Sequence, residues 1–470
     1  MPAGDRAPSR PRPRKAQPRP TRRDGRPRPA PAGLAARELA VDLVAGVLAG
    51  RRPLEQVLAE ALARPEAGAL EPRDRALARA VAGSVFRRLG EIEHVLAAFM
   101  ERPLPEEQRR ARAILLAGAA QLVCLAMPAH AVVDLAVELA RRDRKAHRYA
   151  KLVNAVLRRV AERGATVLAG QDAVRLDIPA WLWQRWVAAY GEAGARRIAE
   201  ASLREAPLDL TLKPGAGDAA AWAERLGGRL LLTGSIRLAH HGRIEDLPGY
   251  GDGAWWVQDA GALLVARMAG RVAGLAVADL CAAPGGKTAA LAAAGARVSA
   301  VDLSAARLAR LGENLSRLRL EAEVVEADAA TWSPGRTFDV VILDAPCTAT
   351  GTIRRHPDIL RLKGPQDVAR MAALQAAMLA HAAGLVRPGG LLVYATCSLE
   401  PEEGERQVEA LLAARPELAR LPITAAEIGA DPAWISPAGE LRTLPCHLPL
   451  EPAELSGIDG FYAARLRRAG

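Results

Sequence analysis

The stretch Asp279-Leu-Cys-Ala-Ala-Pro-Gly-Gly-Lys-Thr288 decides the fold. The apolar run before it (275–281) has the length and composition of a buried strand, and residues 288–294 read as a short helix. Small residues and two glycines at the junction let a ligand approach the backbone closely, and a helix N-terminus offers free N–H groups. Two common nucleotide patterns fail on spacing. A P-loop, GxxxxGK[ST], would need glycine where Cys281 stands, and the GxGxxG of dinucleotide folds is absent.

Further strands are expected at 297–302, 322–326, 338–344 and 391–396. Helices at 304–318, with Leu308, Leu311 and Leu315 on one side, and at 366–386 lie between them. Such alternation implies an α/β, Rossmann-like doubly wound parallel sheet. Segments near 441–448 and 460–467 are expected to add antiparallel edge strands, so this domain is taken as 236–470. Upstream, 34–164 reads as an all-α domain, with Leu39, Leu43, Val47 and Leu48 at helical spacing. Its run 114–133 is long enough to cross a bilayer, but Gln121, Pro128 and His130 interrupt it, so buried helices of a soluble bundle are expected. Residues 165–235 read as a small α+β linking domain, with helices near 180–190 and 193–203 and a strand at 208–212. Trp181 and Trp183 cannot share a helix face, which favours core and boundary roles for these and Trp186 over base stacking. The chain is thus multidomain.

The formal net charge is +11 over 470 residues, with half of the residues apolar. Residues 1–33 hold nine Arg and one Lys against Asp5 and Asp24, so eight of the eleven charges sit in one Pro- and Arg-rich tail. That tail lacks the apolar residues to offset its ordering entropy, and disorder is expected there. It has no apolar core of a secretory signal. Basic charge gives the folded remainder only modest support for RNA binding. The five cysteines, Cys124, Cys281, Cys347, Cys397 and Cys446, form no CxxC pair, so neither a zinc site nor a disulfide framework is indicated. A reducing cytoplasm is the expected setting.

Asp302, Asp328 and Asp344 each fall at or just after the carboxyl end of a strand. One such aspartate is an ordinary strand-end residue; three at one sheet edge fit an adenosyl cofactor, with Asp302 placed for the ribose hydroxyls. Cys347, in Asp-Ala-Pro-Cys, and Cys397, in Ala-Thr-Cys-Ser, lie beyond two strands that should be neighbours. A thiol at an adenosyl site suits methyl transfer to C5 of cytosine, a poor nucleophile. Thiolate addition at C6 makes C5 enamine-like, a base later removes the C5 proton, and the thiolate leaves. Asp344 is placed to hydrogen-bond the N3/N4 edge of that base. Spacing alone does not say which cysteine attacks.

Three segments, 279–288, Asp344-Ala-Pro-Cys-Thr-Ala-Thr-Gly-Thr-Ile-Arg-Arg-His-Pro-Asp358 and Ala395-Thr-Cys-Ser-Leu-Glu-Pro-Glu-Glu403, closely resemble the bacterial 16S rRNA cytosine-5 methyltransferases of the Sun/Fmu (RsmB) type. The resemblance covers nearly the whole chain after the tail, with 34–164 similar to the family's NusB-like RNA-binding domain. It implies Cys397 as the nucleophile and Cys347 as the residue assisting proton removal and product release. It implies S-adenosylmethionine held by Cys281, Ala282, Ala283, Pro284, Gly285, Gly286 and Lys287 with Asp302, Asp328 and Asp344. The implied partner is 16S rRNA, with no metal, no membrane and no obligate protein partner indicated. Thr348 replaces the family's usual Ser, and the tail is outside the family pattern. A DNA cytosine-5 methyltransferase, attacking from the Cys347 position, is the nearest rival; the second cysteine argues for the RNA branch. A non-catalytic RNA-binding factor would leave both cysteines and the cofactor edge without purpose.

Removing residues 1–33 is expected to weaken RNA binding mostly at low salt, because lost phosphate contacts act through counterion release. Unchanged affinity at low salt would reject a role for the tail in that binding.

Overall fold

The structure, a computed structural model, describes residues 31–239 and 242–470. The expected disordered tail lies, as far as residue 30, outside the described residues. From Leu34–Gly50 to Ala150–Ala169 the chain is helical, and the inward faces of these helices share one core that includes Leu39, Leu43, Phe86, Ile92, Leu116, Val153 and Leu157. The apolar run 114–133 is divided between Arg109–Val123 and Ala129–Arg142, with Pro128 as the N-cap of the second helix. Gly118 is glycine for packing: a Cβ there would stand 2.6 Å from Cδ1 of Leu157.

Helix Ala180–Ser202 is broken at Gly191, whose φ of 72° and ψ of 165° are not helical, so the two expected helices are present. Trp186 is fully buried, and Trp181 and Trp183 pack partly buried against the same cluster. A four-stranded antiparallel sheet follows, in the order β2-β3-β1-β4: β1 is Leu208–Leu212, β2 Arg229–Leu230, β3 Ile236–Leu238 and β4 Trp255–Val257. Its strands come from both sides of residue 235, with Leu208 opposite Leu238 and Leu210 opposite Val257. The alternation expected from residue 236 onward therefore starts in the structure at 260, because strands of three residues carry no readable period.

The second sheet runs β10-β12-β9-β8-β5-β6-β7, with β11 also on β12. Its strands are β5 (Ala276–Leu280), β6 (Arg297–Asp302), β7 (Glu323–Glu326), β8 (Phe338–Asp344), β9 (Val386–Thr396), β10 (Leu418–Arg420), β11 (Leu441–Thr443) and β12 (Phe461–Arg468). Strands β5 to β9 are parallel, and β12 pairs antiparallel with β9, β10 and β11. Successive side chains go to opposite faces. Val277, Val298, Val340 and Val393 pack on one side with Leu264, Met268 and Leu291, whereas Ala278, Val301, Val341 and Leu392 pack on the other with Met378, Leu379 and Val408. Both faces are covered by helices, as parallel sheets require. Helix Pro365–Leu385 is the one described helix long and apolar enough to cross a membrane, and its Met378, Leu379 and Ala382 pack into this core.

Strand β5 has β6 on one side and β8 on the other, and the sequence of connections reverses there. Ligands of open α/β sheets bind at such a switch point, outside the carboxyl ends of the strands. The 281–285 loop and the segment after Asp344 both open onto it.

Long-range polar contacts tie the helical bundle and the small sheet to this domain. Helix Leu54–Leu62 receives no cap from Pro53; instead the Leu54 N–H donates to Asp358 Oδ2 at 2.9 Å. Arg87 Nη1 donates to the carbonyls of Arg204 and Arg354. Fully buried Arg237 and Asp209 make a bidentate pair, both bonds 2.7 Å, and Arg237 also donates to the carbonyls of Leu455 and Gly457. Removing one partner strands a buried charge, so Arg237→Ala should lower stability by about 3–5 kcal/mol. Thermal unfolding of Arg237→Ala beside the paired Arg237→Met/Asp209→Leu protein checks this: the double variant should recover most of the loss, and equal melting of all three would contradict it.

Candidate active site

The 281–285 loop turns sharply out of β5. Cys281 has φ +61°, unusual for a residue with a Cβ, and Gly285 has φ +102°. A Cβ on Gly285 would also meet Leu311 Cγ at 2.8 Å. The Ala282 N–H donates to the Val301 carbonyl at 3.0 Å and the Gly285 N–H to the Ala282 carbonyl at 2.9 Å, so the loop is held between β5 and β6. The Ala283 N–H donates to Asp302 Oδ2 at 3.2 Å, and Arg307 bridges Asp302 to the Ala283 carbonyl. The Pro284 carbonyl accepts from Asn314 at 3.5 Å. Helix Gly286–Ala293 begins immediately afterwards, with no side chain capping its first turn.

Asp302 is buried at the end of β6 and also accepts from the Ser304 N–H. Asp328 is exposed, two residues beyond β7, and its carboxylate closes the following turn through the Ala330 N–H at 2.9 Å. Asp344, at the end of β8, pairs with Lys287 Nζ at 2.5 Å. Burial alone would lower the Lys287 ammonium, but the Asp344 carboxylate outweighs it and the group sits above its ordinary value. All three aspartates lie at the carboxyl edge of the parallel strands. Inside that edge, burial raises Asp279 to about 6 and Cys281 to about 12; Asp279 Oδ2 accepts from the Thr288 hydroxyl, and its Oδ1 has no partner.

Cys347 and Cys397 meet with their sulfurs 3.4 Å apart. Both are half-buried and free. The hydrogen bond between the two thiols, and then burial, push Cys347 well above the ordinary thiol range. The surroundings of this pair are polar and enclosed. Glu403, fully buried, accepts from the Thr348 N–H at 2.8 Å and from Gln375 Nε2 at 3.3 Å, and Gln375 also donates to the Pro346 carbonyl. Desolvation raises the Glu403 carboxyl. The Ser398 hydroxyl lies 3.2 Å from that of Thr348 and 3.4 Å from that of Thr350. Gly351 donates to the Cys397 carbonyl and must be glycine, because a Cβ would fall 2.1 Å from the Gly460 carbonyl oxygen.

Residues 281–287, Asp302, Asp328, Asp344, Cys347 and Cys397 thus all lie on this edge. Glu403, Gln375 and Ser398 are additions that the geometry makes to the site; Gln375 carries no signal beyond residue type, whereas Ser398 and Glu403 lie inside the 395–403 motif segment. Farther along the loop, Arg355 pairs with Asp259 at 2.6 Å and Asp459 at 2.8 Å, a tie that sequence separation hides. Among the described residues no group of His, Cys, Asp or Glu could hold a metal ion.

The doubly wound sheet, the glycine-containing loop after its first strand and the acidic strand ends define a class, the S-adenosylmethionine-dependent methyltransferases. The model of the 16S rRNA methyltransferase RsmB/F family matches residues 272–467, and that of the NusB family residues 34–162. The ribosomal RNA small subunit methyltransferase B of Vibrio cholerae is 38% identical, the match covering 85% of this chain and 91% of that one. That of Xanthomonas campestris is 36% identical over 94% and 98%. The crystal structure of PH0851 covers 93% of this chain and 99% of its own at TM-score 0.73 and 20% identity, a likeness of fold. A methyltransferase homolog protein from Pyrococcus horikoshii covers 64% of this chain and 96% of its own at TM-score 0.50 and 26% identity. The chain belongs to the RsmB/F methyltransferase family and carries the NusB domain at its N-terminal side.

A thiol held above its ordinary value is alkylated slowly, since only the thiolate reacts. Cys347 should react with iodoacetamide at pH 8 at least about tenfold more slowly than an ordinary free cysteine, still accelerating at pH 10; peptide mass spectrometry reads the site. A rate that levels off with a midpoint near 8.5 would contradict the arrangement.

Proposed function

We propose that this protein transfers a methyl group to C5 of a cytosine in 16S rRNA, in the cytoplasm, through a covalent bond from Cys397 to C6. The observation that carries the reading is the 3.4 Å contact of two thiols at the cofactor edge. Methyl transfer to an oxygen or exocyclic nitrogen has no use for two sulfurs; attack on a pyrimidine ring does. Domain limits near 33 and 164 are proposed with it; the limit expected at 235 divides the small sheet, whose strands run from 208 to 257, and is placed near 258 instead.

The loop fits the cofactor: it is free of bulky side chains, its helix start is uncapped, and a buried amide beside it has no acceptor. Residues 281–287 with Asp302, Asp328 and Asp344 would hold S-adenosylmethionine, which supplies an electrophilic methyl group when bound. Asp344, fixed by Lys287, would orient the N3/N4 edge of the base by accepting from its N4 amino group. The Cys397 thiol gives up its proton to solvent and its sulfur forms a bond to C6, so that the electron pair of the C5–C6 double bond becomes available at C5. After methylation, C5 carries both a methyl group and a proton. Cys347 assists removal of that proton; the C5–H pair re-forms the double bond, and the C6–S bond breaks to release Cys397 as thiolate. A thiol held high, as Cys347 is, makes a strong base, and it takes the C5 proton once its own has passed to solvent. Glu403 positions Cys347 through the Thr348 amide.

A cytosine in a loop is the easier target, because a paired base must first be unstacked. The experiment uses 16S rRNA lacking this modification, labelled S-adenosylmethionine, and nucleoside mass spectrometry. Wild-type protein should yield 5-methylcytidine, and Cys397→Ala should lose at least about 1,000-fold in rate. Label in any other nucleoside would sink the proposal.

A further inference from the structure

Gln258 follows β4 and precedes Asp259, whose carboxylate caps helix Ala260–Arg267. It is only 6% exposed. Its side-chain oxygen accepts from the indole N–H of Trp256 at 2.8 Å and from the Thr211 hydroxyl at 3.4 Å. An indole N–H can only donate, so the atom facing it must be the oxygen, and the amide cannot be turned round. The NH2 group therefore points away from both donors, and it has no partner. A buried donor without an acceptor bears its full desolvation cost, which a purely structural role leaves unexplained.

Beside that amide stands the first residue of helix Gly286–Ala293. A Cβ at Gly286 would lie 3.4 Å from both Cδ and Nε2 of Gln258. This helix of eight residues has no side-chain cap on its first turn, because Gly285 is the N-cap. Unpartnered donors thus converge from a side chain and from a helix start, an arrangement that suits an anion. Lys287, the basic residue of this helix, is committed to Asp344.

We propose that Gln258 donates its side-chain amide to the carboxylate of the amino-acid portion of S-adenosylmethionine, beside the first-turn amides of the 286–293 helix. Gly286 is glycine so that no side chain separates the two. The inference rests on the cofactor reading above.

Calorimetric titration of the full chain with two ligands tests it. S-adenosylhomocysteine has the carboxylate; 5′-methylthioadenosine shares its nucleoside and lacks it. Gln258→Met, of similar volume without donors, should weaken S-adenosylhomocysteine binding about 10- to 100-fold and leave methylthioadenosine within about twofold. Equal weakening of both ligands would reduce Gln258 to a support of the loop and overturn the proposal, as would unchanged binding of both. If Gln258→Met does not fold by circular dichroism, Gln258→Asn, which withdraws the same amide, is read by the same pair of ligands. Wild-type protein that binds neither ligand would sink the cofactor reading itself, a distinguishable failure.

Discussion

The register of β8 on β9 sets Asp344 opposite Ala395, and the ladder continues one step past the strands through the Ala345 N–H and the Ala395 carbonyl. Cys347 and Cys397 follow within a few residues on the two diverging ends, and their sulfurs meet at 3.4 Å. A slip of one residue would send the side chains of one strand to the opposite face. The register is held where slipping is costly, because both faces of β8 and β9 are packed against helices. Strand β12 adds a second lock, setting Tyr462 opposite Thr396. The hydroxyl of Tyr394, on β9, donates to the Glu403 carbonyl at 2.7 Å, close to the acid that holds the Cys347 loop.

The segment from Asp344 to Asp358 is also a tie between parts of the chain distant in sequence. It starts at Lys287, passes the paired thiols, and reaches the ion pairs of Arg355 with Asp259 and Asp459. It ends as the cap of helix Leu54–Leu62 in the bundle. Burying these charges costs desolvation that their attraction does little more than offset, so their consequence is register more than stability. They fix where the small sheet, the bundle and the cysteine loop stand relative to one another. Burial raises Asp459 to about 6 even between arginines, a measure of how dry this junction is.

Long elements with a clear period were legible in the sequence. The strands at 297–302 and 338–344 coincide with β6 and β8, and the helix expected at 304–318 is Ala305–Leu318. The cysteines, the glycine loop and the aspartates were legible because each sits where a strand ends, and strand ends of a parallel sheet share one edge. Strands β2, β3 and β4 were not, since two or three residues show no alternation, and a sheet drawn from 208 to 257 leaves no local mark. The partners that shape the site, Gln375, Glu403 and Gln258, act through contacts that reach 28 to 55 residues along the sequence, which only the fold reveals.

The central claim, that Cys397 attacks and Cys347 releases, is tested most directly by trapping the bond between them and the RNA. Cys347→Ala protein is incubated with unmethylated 16S rRNA and S-adenosylmethionine, then run on a denaturing gel. The account predicts a stable protein–RNA adduct that disappears in Cys347→Ala/Cys397→Ala. No adduct from Cys347→Ala, with Cys397→Ala still able to methylate, would contradict it and assign the attack to Cys347.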